Sequence, residues 1–562
     1  MSRSGLQPRI SFLPGLIAGL LVAGAAWAQP GTVRSFQKIS DTQGNFLEPL
    51  LTGDEMGGAL CDLGDLDGAG PSVRAIAVGA TLDDDGGVNK GAVYIMFLAA
   101  NGLVLSYQTI SDTQGNFLEP LVSNDEFGAS IANLGDLDGP GPSVRAIAVG
   151  AIGDDDGGTN RGAVYILFLA ANGSVLSYRA ITDTQGNFNF TLDNEDGLGD
   201  CVAALGDLDR GGPSVAALAV GCSGDDDGGT DRGAMYILFL DDAGSVLSAS
   251  KISDLAGGFA YPLLNEDFFG SAAAFLGDLD MVGPSAGVMA VGAPGDNDGG
   301  TDRGAVFILF LATNGNVLSY QKISDTQGNF LETLDNTDEF GGALARLRDL
   351  DGPGPSVIAL AVGAGADDDG GLDRGAAYVL FLAANGTVLS SQKISDLAGT
   401  FTATIDNEDA LGGSLAALGD LDGPGNSMET LVIGASGDDD GNTDRGAVYV
   451  TFLNGNAGTV AVPGAPGATA SILGRAKPTP FRGETTIPYR IAMAARVRID
   501  VLDLQGRLVR TLVDGVTGPG DHDVAWDGLD DARRPMAAGA YTIRMSVDGR
   551  IVDAARRTVL LR

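Results

Sequence analysis

Short acidic loops recur along the chain and hold the oxygen ligands that divalent cations prefer. Each loop has an aspartate, a second aspartate two residues later, a glycine turn, and then an aspartate or asparagine. Because calcium takes six to eight oxygen ligands at short range, this spacing predicts a calcium or related cation site in each loop. The alternative is that the loops are soluble turns whose acids pair with Arg161 and its equivalents. The predicted ligand sets are Asp83, Asp85 and Asn89; Asp154, Asp156 and Asn160; Asp225, Asp227 and Asp231; Asp296, Asp298 and Asp302; Asp367, Asp369 and Asp373; and Asp438, Asp440 and Asp444.

A second acidic motif, Asp-Leu-Asp, recurs as well and is a weaker cation candidate. Two carboxylates alone make a weak calcium site. The alternative is that these aspartates cap a tight turn by accepting hydrogen bonds from nearby backbone amides. They are Asp65 and Asp67, Asp136 and Asp138, Asp207 and Asp209, Asp278 and Asp280, Asp349 and Asp351, and Asp420 and Asp422.

The residue types in the chain give little support to a catalytic site. The chain has one histidine, His522, so no Ser-His-Asp, Cys-His or zinc-ligand set can be assembled among the acidic loops. Paired carboxylates could in principle serve a glycosidase. An active site would need one copy of the motif to differ from the others by a special residue, and none stands out. The sequence therefore predicts that the protein is not an enzyme.

The elements that must position these loops come from a repeat. The first aspartates of both motifs recur at intervals of 71 residues, six times each. In the second copy, four stretches predict strands: 127–134, 145–150, 163–169 and 174–181. Turn residues separate them, and the third stretch is almost continuously apolar, which is typical of a strand covered on both faces. Four strands per repeat predict an all-β fold, a six-bladed β-propeller.

The ends of the repeat array predict a closed ring. Residues 32–40 match residues 387–395, which form a fourth strand, whereas the sixth copy runs out near residue 460 without one. An N-terminal strand that completes the last blade would remove the exposed sheet edges of an open array. We therefore predict a propeller over residues 29–462.

The second copy of the repeat contains Phe127-Gly128, Leu134 to Gly139, Ala148 to Ala151 and Arg161 to Tyr165. These segments resemble the FG-GAP repeat of integrin alpha chains and of many exported bacterial proteins. The resemblance implies a propeller over about residues 32–462, and that family often has a calcium loop at the Asp-Leu-Asp position. Here only the first two acids of that calcium pattern are present.

A different composition begins after residue 462. Residues 463–473 form a linker rich in proline, glycine and alanine, and residues 474–562 contain short alternating stretches that predict a small β-sandwich. Pro478 to Phe481, Val501 to Arg510, Trp526 to Gly528 and Ala538 to Tyr541 resemble the immunoglobulin-like domain of FlgD. They are also similar to C-terminal sorting domains of type IX secretion substrates. The resemblance implies a structural or surface-targeting module that could engage export or anchoring machinery.

The N-terminus has the pattern of a secretory signal peptide. Arginines precede an apolar stretch, and Ala26-Trp27-Ala28 is a cleavage pattern, so we expect residues 1–28 to be removed. No later segment is apolar and long enough to span a membrane. The chain has three cysteines; Cys201 and Cys222 lie on predicted neighbouring strands, and either a disulfide or two free thiols fits.

The charge of the chain restricts its partners. The formal net charge is −39, which repels phosphates and argues against nucleic-acid binding. In a four-stranded blade, the acidic loops share a ring face with the acidic connection to the next blade, for example Asp125-Glu126. We therefore predict an exported, non-catalytic surface or extracellular binding or adhesion protein whose acidic loops bind divalent cations and face a protein or glycan partner. The alternatives are a display scaffold without a specific ligand and a hydrolase.

Overall fold

The computed structural model describes most of the chain, which divides into two compact units, Met1–Gly458 and Thr459–Arg562. The predicted signal peptide and residues 463–471 of the predicted linker lie outside the described residues. Those described residues form strands and turns, without a helix, so the predicted all-β fold class is confirmed. Within them, no helix is long and apolar enough to cross a membrane. The described ranges are 29–68, 70–139, 141–280, 283–352, 356–423, 427–455, 472–473, 476–477, 479, 481–491, 495–502, 507–517, 520–531, 533–547 and 550–561.

Six four-stranded antiparallel sheets make up the described part of the first unit. The strands of the first three repeats are β1 (Val33–Ile39), β2 (Met56–Gly64), β3 (Arg74–Ala80), β4 (Ala92–Leu98), β5 (Val104–Ile110), β6 (Phe127–Gly135), β7 (Arg145–Ala151), β8 (Ala163–Leu169), β9 (Val175–Ile181), β10 (Val202–Gly206), β11 (Ala216–Cys222), β12 (Ala234–Leu240) and β13 (Val246–Ile252). Those of the next three are β14 (Ala273–Gly277), β15 (Gly287–Ala293), β16 (Ala305–Leu311), β17 (Val317–Ile323), β18 (Ala343–Leu347), β19 (Ile358–Ala364), β20 (Ala376–Leu382), β21 (Val388–Ile394), β22 (Leu415–Gly419), β23 (Glu429–Ala435) and β24 (Ala447–Leu453).

The sheets are arranged as the blades of a ring, which we number one to six from the sheet β2 to β5 onward. Five sheets are made of four consecutive strands, and the sixth has the order β1-β24-β23-β22, so the N-terminal strand completes the last blade. The first strand of each blade contacts the first strand of the next, and β22 contacts β2. All six first strands line one central cavity of about 100 Å³. This is the arrangement of a β-propeller.

The hydrophobic core lies between neighbouring blades. The third strand of every blade is buried along its whole length, as in β8, because sheets cover both of its faces. One cluster, for example, combines Ile95 and Phe97 of blade one with Val149 and Leu167 of blade two. Another joins Val448 of blade six to Val78 of blade one, which closes the core around the ring.

A glycine on the second strand of each blade permits the close approach of the next blade. A Cβ atom added at Gly150 would lie 2.0 Å from the carbonyl oxygen of Gly199, and one added at Gly434 would lie 2.2 Å from that of Gly57. Real Cβ atoms do not come so near to a backbone oxygen, so only glycine fits at these positions. The second pair belongs to blades six and one, the junction that closes the ring.

The two cysteines that were candidates for a disulfide are free. Cys201 packs in the cluster between blades three and four, whereas Cys222 packs in the cluster between blades two and three. They therefore point to opposite faces of one sheet, and the disulfide hypothesis was wrong because neighbouring strands alone do not bring two thiols to one face.

The second unit is a small sandwich of a three-stranded and a four-stranded sheet, ordered β25-β26-β29 and β28-β27-β30-β31. Trp526 is fully buried in its core and donates its Nε1 hydrogen to the carbonyl of Leu529 at 3.0 Å. Two residues of the predicted linker, Ile472–Leu473, form a strand of this unit. The strands are β25 (Ile472–Leu473), β26 (Thr485–Ile491), β27 (Ala495–Leu502), β28 (Leu508–Thr517), β29 (Gly520–Trp526), β30 (Gly539–Val547) and β31 (Arg550–Leu560).

Candidate functional site

Each acidic loop joins the second and third strands of its blade, and its first aspartate is buried. In blade two, Asp154 is 5% exposed, accepts the backbone N–H of Asp156 at 2.9 Å, and accepts the hydroxyl of Tyr165 at 2.7 Å. The third residue of the loop, Asp156, is half-buried and accepts the side-chain amide of Gln185 at 2.7 Å. The structure therefore brings the first and third residues of the loop close together.

The structure directs the last predicted ligand of each loop elsewhere. Asn160 has a left-handed backbone (φ 46°), donates its backbone N–H to Asp155, and donates its side-chain amide to Glu195 of the next connection at 2.8 Å. Asp231, Asp302, Asp373 and Asp444 occupy the same left-handed position. At the four loops whose last predicted ligand is an aspartate, no cluster of three His, Cys, Asp or Glu ligands forms among the described residues. In blades one and two the predicted triplet therefore reduces to a pair, because the side-chain amide of Asn89 or Asn160 contacts the connection to the next blade.

In four of the six blades, a lysine from the fourth strand binds both aspartates of the pair. Its Nζ lies 2.5–2.8 Å from one carboxylate oxygen of each, with the ammonium 4.8–5.4 Å from the centre of a nearby aromatic ring. Such a buried ion pair also gains from the ring face. The four sets are Lys251 with Asp225 and Asp227, Lys322 with Asp296 and Asp298, Lys393 with Asp367 and Asp369, and Lys38 with Asp438 and Asp440.

Blades one and two lack this lysine. Thr109 and Ala180 stand at its position, opposite Tyr94 and Tyr165 on the third strand. In the described part of the chain, no Lys or Arg forms an ion pair with Asp83, Asp85, Asp154 or Asp156. The six acidic loops are thus of two kinds: four with an internal cation and two without one.

A further carboxylate adds negative charge to the two lysine-free loops. Burial raises the pKa of Asp83, and the nearby charges of Asp85 and Glu48 raise it further, against the hydrogen bonds that lower it. The pKa of Asp154 is raised in the same way by burial and by Asp156 and Glu119.

The connection between blades holds one buried aspartate in every repeat. Each accepts the backbone N–H of the residue three positions earlier, as Asp125 does from Val122 at 2.7 Å. Burial, with charge from the acidic loops, raises the pKa of these carboxyls to about 6 or 7 despite that hydrogen bond. The predicted acidic ring face is therefore formed by loop and connection together.

The arginines of the loops do not pair with the loop aspartates. Arg161 instead binds Asp183, which follows the fourth strand, at 2.6 Å, and Lys90 binds Asp112 at 2.7 Å. Arg232, Arg303, Arg374 and Arg445 make the equivalent pairs. These bridges tie the loop to the end of its own blade and leave the acid pair to the lysine where one exists.

The Asp-Leu-Asp motifs cap turns. Asp65 accepts the backbone N–H of Gly68 at 2.8 Å, and Asp67 accepts the hydroxyl of Ser72 at 2.7 Å. The same serine contact recurs at Asp138, Asp280, Asp351 and Asp422. These contacts are the ones expected if the aspartates cap turns. They give no support to the weaker prediction that the Asp-Leu-Asp motifs bind cations.

Blade three differs from its siblings in two ways. Asp196, Cys222 and Asp225 place possible ligand atoms within 4.8 Å of one another, and all three are buried. Asp200 lines a cleft of about 390 Å³ together with Glu126 and Glu195, and burial raises its pKa to about 6. In the other blades, Gly58, Ala129, Ser271, Gly342 and Gly413 stand at the position of Asp200.

The second unit contains a recognised sequence family. Residues 480–550 match the FlgD Ig-like domain. The chain as a whole matches no curated protein.

Similarity to solved structures is remote. PorZ, an essential bacterial surface component of the type-IX secretion system of Porphyromonas gingivalis, is 13% identical with a TM-score of 0.34; the similarity covers 87% of this chain and 58% of PorZ. FlgD from P. aeruginosa is 19% identical with a TM-score of 0.13, over 16% of this chain and 76% of its own. A glycoside hydrolase family 43 arabinoxylan arabinofuranohydrolase from Bacillus subtilis is 12% identical with a TM-score of 0.28, over 80% of this chain and 98% of its own. Similarity this low carries no functional information.

The sequence reasoning missed the lysines, although they leave a signal. Lys38, Lys251, Lys322 and Lys393 keep the 71-residue register, and Thr109 and Ala180 break it. The signal was overlooked because the lysine lies on the fourth strand, far in sequence from the loop that it neutralises. The expectation that no copy carries a special residue was wrong for a separate reason, since Asp200 occurs in one copy only.

Proposed function

We propose that this protein is an exported, non-catalytic binding protein of the cell surface or extracellular space. The observation that carries the proposal is the acidic ring face, on which each blade presents a preformed pair of carboxylates. Four pairs hold a lysine ammonium at 2.5–2.8 Å, so the loops are built to bind cations. The resemblance to FG-GAP propellers, the N-terminal signal pattern and the FlgD Ig-like match at 480–550 support the surface role.

Divalent cations, with calcium first, remain part of this proposal. The lysines already satisfy four pairs, so the cation sites narrow to Asp83 with Asp85 and Asp154 with Asp156. Two carboxylates leave most of a calcium coordination shell to water and backbone oxygens, so we expect weak binding. The second unit, in this proposal, attaches the propeller to export or anchoring machinery.

The test is calorimetric titration of calcium into the chelator-stripped chain from residue 29 onward, with a thermal melt at each end point. Saturable heat and a raised melting temperature support cation-ordered loops, because a ligand that binds only the folded state stabilises it. The matched control is Asp83→Asn with Asp154→Asn, which should abolish the heat. No heat and an unchanged melt would favour the display scaffold.

A hydrolase is the second candidate, and one observation favours it. Asp200 breaks the repeat pattern in a cleft with Glu126, and its raised pKa suits a general acid. Turnover of a glycan panel that is lost in Asp200→Asn would replace the non-catalytic proposal.

A further inference from the structure

The four lysine-bearing blades define what a complete site contains. In blade four, Lys322 donates to Asp296 at 2.6 Å, to Asp298 at 2.8 Å and to the Tyr261 hydroxyl at 2.7 Å. An ammonium group has three N–H donors, and all three are used here. Its positive charge also lies 4.8 Å from the centre of the Tyr261 ring.

Blade two has the same pair of carboxylates without the lysine that donates to them. Asp154 and Asp156 keep the loop geometry of the lysine blades, since the hydrogen bond between them is 2.9 Å in blade two and 2.9 Å in blade four. Glu119 stands at the repeat position of Tyr261, which accepts the third N–H in blade four. Blade one repeats the arrangement with Asp83, Asp85 and Glu48.

The missing lysine is replaced by side chains too short to reach the acids. Ala180 and Thr109 end far before the position of a lysine Nζ. Tyr165 and Tyr94, the cross-strand neighbours, still offer aromatic rings beside it. In blade six, the complete site lines a surface cleft of about 410 Å³, so the ammonium position can be reached from solvent.

We propose that blades one and two bind a primary ammonium group supplied by another molecule, at Asp83, Asp85 and Glu48 and at Asp154, Asp156 and Glu119. The independent support is that the same carboxylate pair binds an ammonium in four sibling repeats of this chain. A free alkylamine and a lysine side chain of a partner protein share this chemistry. The inference rests on the proposed binding function and names the ligand class of its acidic loops.

An ammonium fits these sites better than a divalent metal. Across the described residues, no three carboxylates in blades one and two come within the 4.8 Å that a shared metal ion would need. An ammonium needs no full shell of oxygen ligands, and in the siblings it contacts the two carboxylates of the pair at 2.5–2.8 Å. It also gains from an aromatic ring face.

The experiment is calorimetric titration of n-butylammonium into the chain from residue 29 onward, at low ionic strength because salt screens such pairs. We expect saturable binding to two sites. Tetramethylammonium, which has no N–H donor, should not compete. A parallel titration with blocked lysine amide distinguishes a lysine side chain from a free amine as the ligand. If blocked lysine amide binds more tightly than n-butylammonium does, the ligand is a lysine of a polypeptide partner.

The decisive variants exchange lysine between repeats. Thr109→Lys with Ala180→Lys installs the sibling residue and should abolish n-butylammonium binding while raising the melting temperature. Lys251→Ala should add a third site in blade three. A folded wild-type chain without saturable n-butylammonium binding overturns the inference, as does binding that survives the double lysine variant. Calcium binding without n-butylammonium binding overturns the inference and leaves the proposed function in place.

Discussion

Removal of the most buried lysine, by Lys322→Met, tests whether the acid pairs need their cation. Lys322 is 2% exposed, Asp296 is 3% exposed and Asp298 is 27% exposed. Loss of one partner leaves uncompensated buried charge, which costs about 3–5 kcal/mol when a pair is fully buried. Since Asp298 is partly solvated, we expect about 3 kcal/mol, at the lower end of that range.

Scanning calorimetry should measure this loss of stability. Tryptophan fluorescence is unsuitable, because the only described tryptophan, Trp526, lies in the second unit and does not report on the propeller. Lys251→Met is the matched control. It breaks the equivalent two ion pairs without a contact like that of Lys322 to the Tyr261 hydroxyl, and Asp227 is 44% exposed, so a smaller loss of roughly 1–3 kcal/mol is expected.

The pH dependence of the loss separates charge from packing. Against the burial that raises it, Lys322 holds the pKa of Asp298 below its usual value, so without the lysine this pKa rises and the folded variant binds more protons than wild type does. The destabilisation should therefore be largest near neutral pH and fade as the pH falls through the acid range. A loss that is equal at pH 4 and pH 7, or smaller than about 1 kcal/mol at pH 7, would refute the reasoning.

Three further predictions concern the rest of the propeller. The six connection aspartates have pKa values raised to about 6 or 7, so the folded state binds more protons than the unfolded chain does. The melting temperature should therefore fall as the pH rises from 4 to 8. Asp125→Asn removes one of these groups and should make the fall in melting temperature with pH less steep. Gly434→Ala, at the junction of blades six and one, should melt at a lower temperature than the control Gly53→Ala. At Gly53 an added Cβ meets nothing within 4 Å, and only the left-handed backbone adds modest strain. Equal melting temperatures of the two variants would contradict the close approach of the blades at Gly434. Cys201 and Cys222 should both be alkylated in denaturant without a reducing agent, as mass spectrometry can show, and a disulfide-linked peptide would contradict their free state.

The repeat made much of the fold predictable. In the second copy, the predicted third strand, 163–169, matches β8, and the others differ by at most one residue at either end. Turn residues at a fixed interval mark strand ends more firmly than propensity does. The free cysteines could not be foreseen, because the face to which Cys201 points depends on how the strand enters the sheet, and a register shift of one residue inverts it.

The candidate site was only half predictable, for a physical reason. Glycines in the sequence predict where a loop turns. They do not predict that Asn160, which follows the turn, has a left-handed backbone and directs its side chain to Glu195 instead of to the aspartate pair. The lysine that completes four sites comes from a strand 26 residues away, as in the pair of Lys322 and Asp296. Six copies of one unit allow an internal comparison. The backbone of the loop is the same in each copy, so the blades differ at this site mainly in the lysine and in the residue at the position of Tyr261. Thr109 and Ala180 are therefore informative because they are ordinary residues at a position where their siblings carry a buried charge.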